Sequence, residues 1–88
     1  MAAWAFTEPG VFGEEVLHAL LAQLPEAVLR LKGCVNLAAG PHFLNAIPGD
    51  WRLEPLPGPH ANALVCIGPP EVRDHLTAAL RRCIISPA

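Results

Sequence analysis

The chain is short, rich in apolar residues and weakly charged: 88 residues, of which 52% are hydrophobic and 16% charged, with a formal net charge of −2. That length predicts a single domain, residues 1–88, with its own core, and the composition excludes general disorder. The negative balance argues against nucleic acid or an anionic membrane as partner.

The cysteines and the N-terminus indicate a cytoplasmic protein. The three cysteines include no Cys-x-x-Cys pair, so they predict reduced, mostly buried thiols rather than a disulfide framework. The start of the chain lacks the basic residues of a signal peptide. The apolar runs fall far short of the ~20 residues that span a bilayer.

The first third of the sequence predicts a short strand and then an amphipathic helix. Trp4 and Phe6 alternate with smaller residues, as in a strand, and Glu8-Pro9-Gly10 breaks it. Two glutamates then begin a helix, at the end where its dipole favours carboxylates, and Pro25 ends it. The three-and-four spacing of one apolar helical face is kept by Val16, Leu17, Leu20, Leu21 and Leu24.

The stretch from Leu24 to Leu37 contains the strand around which we expect the rest of the chain to pack. Its side chains alternate with a period of two, which is typical of a half-buried strand. The inward set is Leu29, Leu31, Val35 and Leu37, with Gly33 in the same register, and the outward set is Arg30, Lys32, Cys34 and Asn36. Gly33 in mid-strand indicates a bulge or the close approach of another backbone.

The remaining residues predict three more strands and a second helix. A short apolar strand over 42–47 precedes a hairpin partner in which Trp51 and Leu53 alternate with Arg52 and Glu54. After a loop over 55–60, residues 64–67 are apolar on both faces, as in a central strand. Pro70 suits the first position of the last helix, whose apolar face is Val72, Leu76, Ala79, Leu80 and Cys83. We expect the last five residues to fray.

The element order β-α-β-β-β-β-α predicts an α+β fold with a mixed, mostly antiparallel sheet and both helices on one face. If the first strand and the strand over 24–37 are neighbours, the helix that joins them makes them parallel. The core under the helices is then predicted to contain Leu29, Leu31, Trp51, Leu53 and the interior side of 64–67.

Motifs for catalysis and metal binding are absent or weak. There is no phosphate loop, dinucleotide-binding glycine pattern or nucleophile elbow. Two helical groups, Glu15 with His18 and the acidic start of the second helix with His75, suit capping and solvation better than a metal. His42 and His60 bracket a loop-rich region and are the weak metal candidates, and Cys66 beyond them is better explained as a small core residue.

Three motifs in order resemble the C-terminal domain of CobW-type GTPases, the family of cobalamin synthesis protein CobW. They are Leu24-Pro-x-x-Val28-Leu-Arg30-Leu-Lys32-Gly33-x-Val35, Gly49-x-Trp51-x-Leu53, and Leu64-Val65-x-Ile67-Gly68 ahead of a helix. The Trp4-x-Phe6 strand and the leucine-rich first helix also fit, so the resemblance covers nearly the whole chain.

The resemblance implies a non-catalytic accessory domain, since family members are cytoplasmic metallochaperones and factors for metal-cofactor (cobalamin-type) assembly. Their N-terminal GTPase domain binds GTP, with Mg, and zinc or cobalt through a Cys-x-Cys-Cys motif. Neither the phosphate loop nor that motif occurs in this sequence, so no cofactor is expected in this domain and the GTPase domain is expected to lie outside this chain. The implied partners are the parent's GTPase domain and a metal-receiving target protein, with homo-oligomerisation left open.

The outward face of the sheet is the predicted interaction surface. Its residues are Arg30, Lys32, Cys34, Asn36, Arg52 and Glu54, beside an apolar stripe from the central strand. The alternative for this face is a solvated surface on which Arg30 or Lys32 pairs with Glu54 across strands.

Two other functions stay open at this point. One is a freestanding small-ligand or metal-sensing module that uses His42, His60 and Cys34. The other, less favoured, is a small enzyme.

Overall fold

The computed structural model describes residues 1–87 and shows two helices packed on one face of a curved sheet. The elements are β1 (Ala2–Phe6), β2 (Val11–Phe12), α1 (Glu14–Ala22), β3 (Arg30–Leu37), β4 (Gly40–Ile47), β5 (Asp50–Pro55), β6 (Ala63–Gly68), α2 (Arg73–Arg82) and β7 (Ile84–Ser86). A short 3-10 turn, Pro70–Val72, leads into α2. The predicted α+β class with a mixed, mostly antiparallel sheet is confirmed. In this part of the chain neither helix has the length and apolarity needed to cross a membrane.

The sheet is built on both edges of β3. Along one edge β4 and then β5 follow as antiparallel hairpins. Along the other edge β6 pairs with the first half of β3, and β1 lies outside β6. The pairing with β6 stops at Cys34 of β3. Beyond it, β2 pairs with the same edge of β3 in parallel, with Phe12 opposite Leu37. β7 in turn pairs antiparallel with β2. The strand predicted to organise the chain is therefore the central one.

Three features of this topology differ from the sequence prediction. The first strand is not beside β3, because β6 lies between them, and the parallel crossover instead joins β2 to β3 through α1. The two-residue strand β2 was not predicted from the sequence. The predicted fraying of the last five residues is wrong for Ile84–Ser86, which pair with β2, while Ala88 lies outside the described residues. The backbone N–H of Gly13 also donates to the Cys83 carbonyl at 2.8 Å, which holds this end in place.

The core fills the space between the sheet and the helices. One row of side chains crosses five strands in register: Trp4, Cys66, Leu31, Ala46 and Trp51. The helices contribute the fully buried side chains Leu17, Leu21, Leu76 and Leu80 to the same cluster. Trp51 and Leu53, predicted in the core, are half-buried and pack against its margin. Both helices thus cover the same face of the sheet, as predicted.

Two residues predicted to face inward are exposed. Leu29 is 51% exposed because the strand begins at Arg30, and the preceding Val28, 1% exposed, fills the buried position instead. Val16 is 45% exposed because α1 turns Leu17 and Leu21 fully inward. Val28 thus takes the inward position that the alternation assigned to Leu29, whereas Val16 lies at the exposed margin of a face that Leu17 and Leu21 bury as predicted.

Gly33 allows β3 and β6 to come close together. Its φ is +146°, a conformation that side-chain-bearing residues rarely adopt, and a Cβ here would lie 1.9 Å from the Ala63 carbonyl oxygen. The close backbone approach inferred from the sequence is therefore present.

Side-chain contacts tie the loop after β1 to the rest of the molecule. The buried Asn62 donates from Nδ2 to the carbonyl oxygens of Glu8 and Gly10, at 3.0 and 2.8 Å. The Glu8 carboxylate also accepts from the Arg81 guanidinium, with the Nη2–Oε2 distance at 2.6 Å, and this hydrogen bond lowers the pKa of the Glu8 carboxyl. The contact therefore stabilises the fold above the usual pKa of a glutamate and is lost when acidification protonates the carboxylate.

Candidate interaction surface

The face of the sheet opposite the helices carries charged side chains from two strands. The strand register places Lys32 opposite Asn45, which is in turn opposite Arg52. One row further along, Cys34 lies opposite Phe43, which is opposite Glu54. Arg30 belongs to the preceding row of β3. The structure therefore brings these predicted surface residues of β3 and β5 onto one side, which we call the outer face.

Asn36 has the same register, but hydrogen bonds within the fold occupy its polar groups. Its Nδ2 donates to the His60 carbonyl at 2.7 Å and to Asn62 Oδ1 at 3.2 Å. Its backbone N–H also donates to Asn62 Oδ1, at 2.7 Å. Asn36 therefore joins β3 to the segment before β6. Asn62 was not predicted to have a role, and its only signal in the sequence is that it is a lone polar residue just before the apolar run of β6.

The cations of the outer face have no carboxylate partner within residues 1–87. Among residues 1–87 the Glu8 carboxylate pairs with Arg81, and a Glu14 carboxylate oxygen lies 3.8 Å from His18 Nε2. The cross-strand pairing of Arg30 or Lys32 with Glu54 does not form, because β4 separates β3 from β5. Arg30 is instead oriented by its Nε–H, which donates to Asn45 Oδ1 at 3.2 Å.

Exposed apolar side chains lie among these cations. Val65 of β6 is 47% exposed beside Lys32, and Leu29 and Ile47, 51% and 46% exposed, share a shallow hollow with Arg30 and Arg52. A second groove of about 460 Å³ crosses the middle of the face. It is lined by Arg30, Lys32, Gly33, Phe43, Ala63, Val65 and Ile67. The outer face is thus apolar and basic together.

Cys34 is half-buried on this face. Burial raises the pKa of its thiol, so the sulfur stays protonated near neutral pH and is a poor nucleophile. Its contribution to the surface is a small apolar contact.

The side chains predicted as weak metal candidates do not converge. His42 lies opposite Val35 and so faces the helix side of the sheet, whereas Cys34 faces the outer side. His60 lies in the loop before β6, with Nε2 at 2.9 Å from the Pro57 carbonyl oxygen. Cys66 is fully buried in the core, which raises its pKa to about 11. Across residues 1–87 no three His, Cys, Asp or Glu side chains are grouped as a metal would require.

His18 has a structural contact that the sequence did not indicate. Its ring packs against Trp51 with ring centroids 4.7 Å apart, and its Nε2 lies 3.8 Å from a Glu14 carboxylate oxygen. The contact joins α1 to β5, and this accounts for His18 without a metal.

A comparison with protein families bears on this arrangement. The profile of the family described as "Cobalamin synthesis protein cobW C-terminal domain" matches residues 1–84. The chain belongs to this family. Searches of curated proteins and of solved structures give no significant match. The matched range of the CobW C-terminal domain includes both helices and the strands that form the outer face. The family description refers to a C-terminal domain and names no catalytic activity for it.

Proposed function

We propose that this CobW C-terminal domain is the non-catalytic interaction domain of a CobW-type metallochaperone GTPase that takes part in metal-cofactor assembly. One observation carries the proposal: cations without carboxylate partners lie among exposed apolar side chains on the outer face. A strand does not need exposed charges in order to fold. A large apolar surface rimmed by polar groups is typical of a docking site.

In this proposal the domain makes protein–protein contacts, and the GTPase domain of the parent carries out GTP hydrolysis and metal binding. GTP, Mg and zinc or cobalt are bound by the GTPase domain of the parent. The outer face meets either that GTPase domain or the metal-receiving target protein. Burial of Val65 and its apolar neighbours supplies affinity at about 25 cal/mol per Å², while Arg30, Lys32 and Arg52 set association rate and specificity.

The test is a charge reversal in the full-length parent. Replacing Arg30 and Lys32 together by Glu should leave the domain folded and weaken GTPase coupling or target binding at least tenfold, about 1.4 kcal/mol. The matched control replaces Arg73 and Arg82 by Glu, since both are exposed on α2, away from the outer face, and the change in charge is the same. Circular dichroism and melting temperature verify folding. Coupling and binding that stay at the level of the control would contradict the proposal.

A further inference from the structure

We propose that the 460 Å³ groove of the outer face takes an extended acidic segment of a partner protein, with two carboxylates followed by an apolar side chain. The inference rests on the proposed docking function and specifies the chemistry of the partner. It follows from the order of side chains along the groove.

The groove has three successive rows, set by the pairing of β3 with β6. The first row holds Arg30 opposite Ile67, and the second holds Lys32 opposite Val65. The third holds Cys34 opposite Ala63, with Phe43 on the other side of Cys34. Between the second and third rows the floor is Gly33, which contributes only backbone. Positive charge thus occupies two rows, and the third is apolar.

The spacing of the rows matches an extended peptide. Residues two apart on a strand are separated by about 6.8 Å, at ~3.4 Å per residue. An extended partner that lies along β3 points every second side chain at the sheet with the same repeat. The partner side chains that point toward the sheet then lie in turn over Arg30, over Lys32 and over the apolar third row. On a helix, which rises 1.5 Å per residue, side chains four apart on one face repeat at about 6 Å, so an extended segment matches the rows better over three positions.

The cations of the groove remain available for carboxylates. Neither Arg30 nor Lys32 has a carboxylate within 4 Å in residues 1–87, where the ion pairs involve other residues. Asn45 accepts from Arg30 Nε, which orients the side chain and leaves its terminal amino groups for a bidentate carboxylate. Glu54, at the far end of the third row, disfavours an acid there and is compatible with an apolar side chain.

Two other occupants fit less well. Nucleic acid carries a phosphate at every nucleotide and would therefore also place negative charge on the third row, beside Glu54, where the peptide has an apolar side chain. A second copy of the chain would offer Glu14 and Glu15, but these lie on helix α1 and not on an extended segment. A partner segment of the form Glu-x-Glu-x-Leu, read in either direction, fits all three rows.

The experiment titrates short capped peptides into the isotopically labelled 88-residue chain and follows backbone amide shifts by NMR. The probes are Ser-Glu-Ser-Glu-Ser-Leu-Ser and its reversed sequence, because an extended segment can run either way. At 50 mM salt we expect shifts confined to β3, β6 and the facing half of β4. Raising the salt to 300 mM should weaken binding several-fold.

The controls separate charge from apolar contact. Replacing both probe glutamates by Lys should abolish binding, and replacing the probe leucine by Ala should weaken it at least threefold. On the protein side, Arg30→Glu with Lys32→Glu should weaken binding at least tenfold, whereas Arg73→Glu with Arg82→Glu should change it less than twofold. Equal binding of the lysine peptide, absence of shifts with both glutamate probes, or tighter binding of an eight-nucleotide uridine RNA at the same face would overturn the inference.

Failure of this inference is distinguishable from failure of the proposed function. If no glutamate peptide binds while the charge-reversed parent loses coupling, the outer face docks a partner of another shape and only the inference fails. If the peptides bind while the charge-reversed parent keeps full coupling and target binding, the groove is real and the proposed function fails.

Discussion

At the scale of single residues, Gly33 carries the strictest requirement in the sheet. It pairs with Leu64 on one side and with Leu44 on the other, and the Ala63 carbonyl oxygen occupies the place of a Cβ. Backbone atoms on a central strand cannot move aside without disturbing their own pairing. The residue is therefore needed for the fold before any role in binding.

Substituting Gly33 by Ala should destabilise the domain by at least about 1–3 kcal/mol, the usual cost of a strained backbone conformation, with the steric clash in addition. The measurement is the free energy of unfolding by urea. Gly40→Ala is a matched control, because Gly40 also has positive φ, +124°, but has open space around its Cβ position. If the two variants lost the same free energy of unfolding, the clash with the Ala63 carbonyl would add nothing to the backbone strain, which would contradict the prediction.

Leu31 tests the assignment of faces on β3. It is fully buried, so Leu31→Ala should cost about 2–5 kcal/mol by leaving a cavity. The next residue, Lys32, points to the outer face, and Lys32→Ala should stay within about 0.5 kcal/mol. Denaturation midpoints for the two variants decide the matter. A loss under half a kcal/mol for Leu31→Ala would contradict the assignment.

Alternation along β3 correctly assigned the residues of its two faces, because a regular strand forces a period of two. It failed at Leu29, where the chain is not yet in the strand and Val28 takes the buried position. It also could not identify Asn62, since the carbonyl oxygens and the N–H that this side chain satisfies come from residues 26 or more positions away. Patterns report local geometry and not distant hydrogen-bond partners.

At the scale of elements, β2 and β7 show why very short strands escape sequence analysis. The two residues of β2 and three of β7 are too few to display a period. β2 becomes a strand only because it lies between the end of β3 and β7, and β7 only because β2 offers it a partner. The longer strands β3 to β6 and both helices have enough residues for their periodicity to be read directly.

Asn62 links the loop after β1, the end of β3 and the start of β6. Asn62→Ala would leave the Glu8 and Gly10 carbonyls and the Asn36 N–H without their partner, at a cost of at least about 1–3 kcal/mol. We also expect faster hydrogen exchange of the Asn36 amide. Asn45→Ala, which removes an exposed contact to Arg30, is the control and should be near neutral. Unchanged exchange at Asn36 would contradict the proposed link.

At the scale of the whole molecule, the class of fold followed from the sequence but the strand neighbours did not. The sequence indicates which segments are strands and which side of each is apolar. Trp4 and Phe6 would look the same beside β3 as they do beside β6, because either neighbour buries the same face. The partner of β1 is therefore a property of the assembled sheet.

The isolated chain should neither bind nor hydrolyse GTP. The sequence contains no phosphate loop, the glycine-rich turn followed by a lysine that binds the phosphates of GTP. Calorimetric titration with GTP and Mg, and phosphate release over several hours, check this expectation. A dissociation constant in the micromolar range for the purified chain would disprove it.

The pairing of β1 with β6 also has a consequence for the newly made protein. Ala2 is paired with Gly68, so β1 leaves the ribosome long before its partner has been translated. At about 5–20 residues per second, the delay is roughly 3–13 s. Throughout that time an uncharged Ala-Ala-Trp-Ala-Phe segment has no strand to pair with. We therefore expect this segment to be the part of the domain most exposed to misassociation during synthesis.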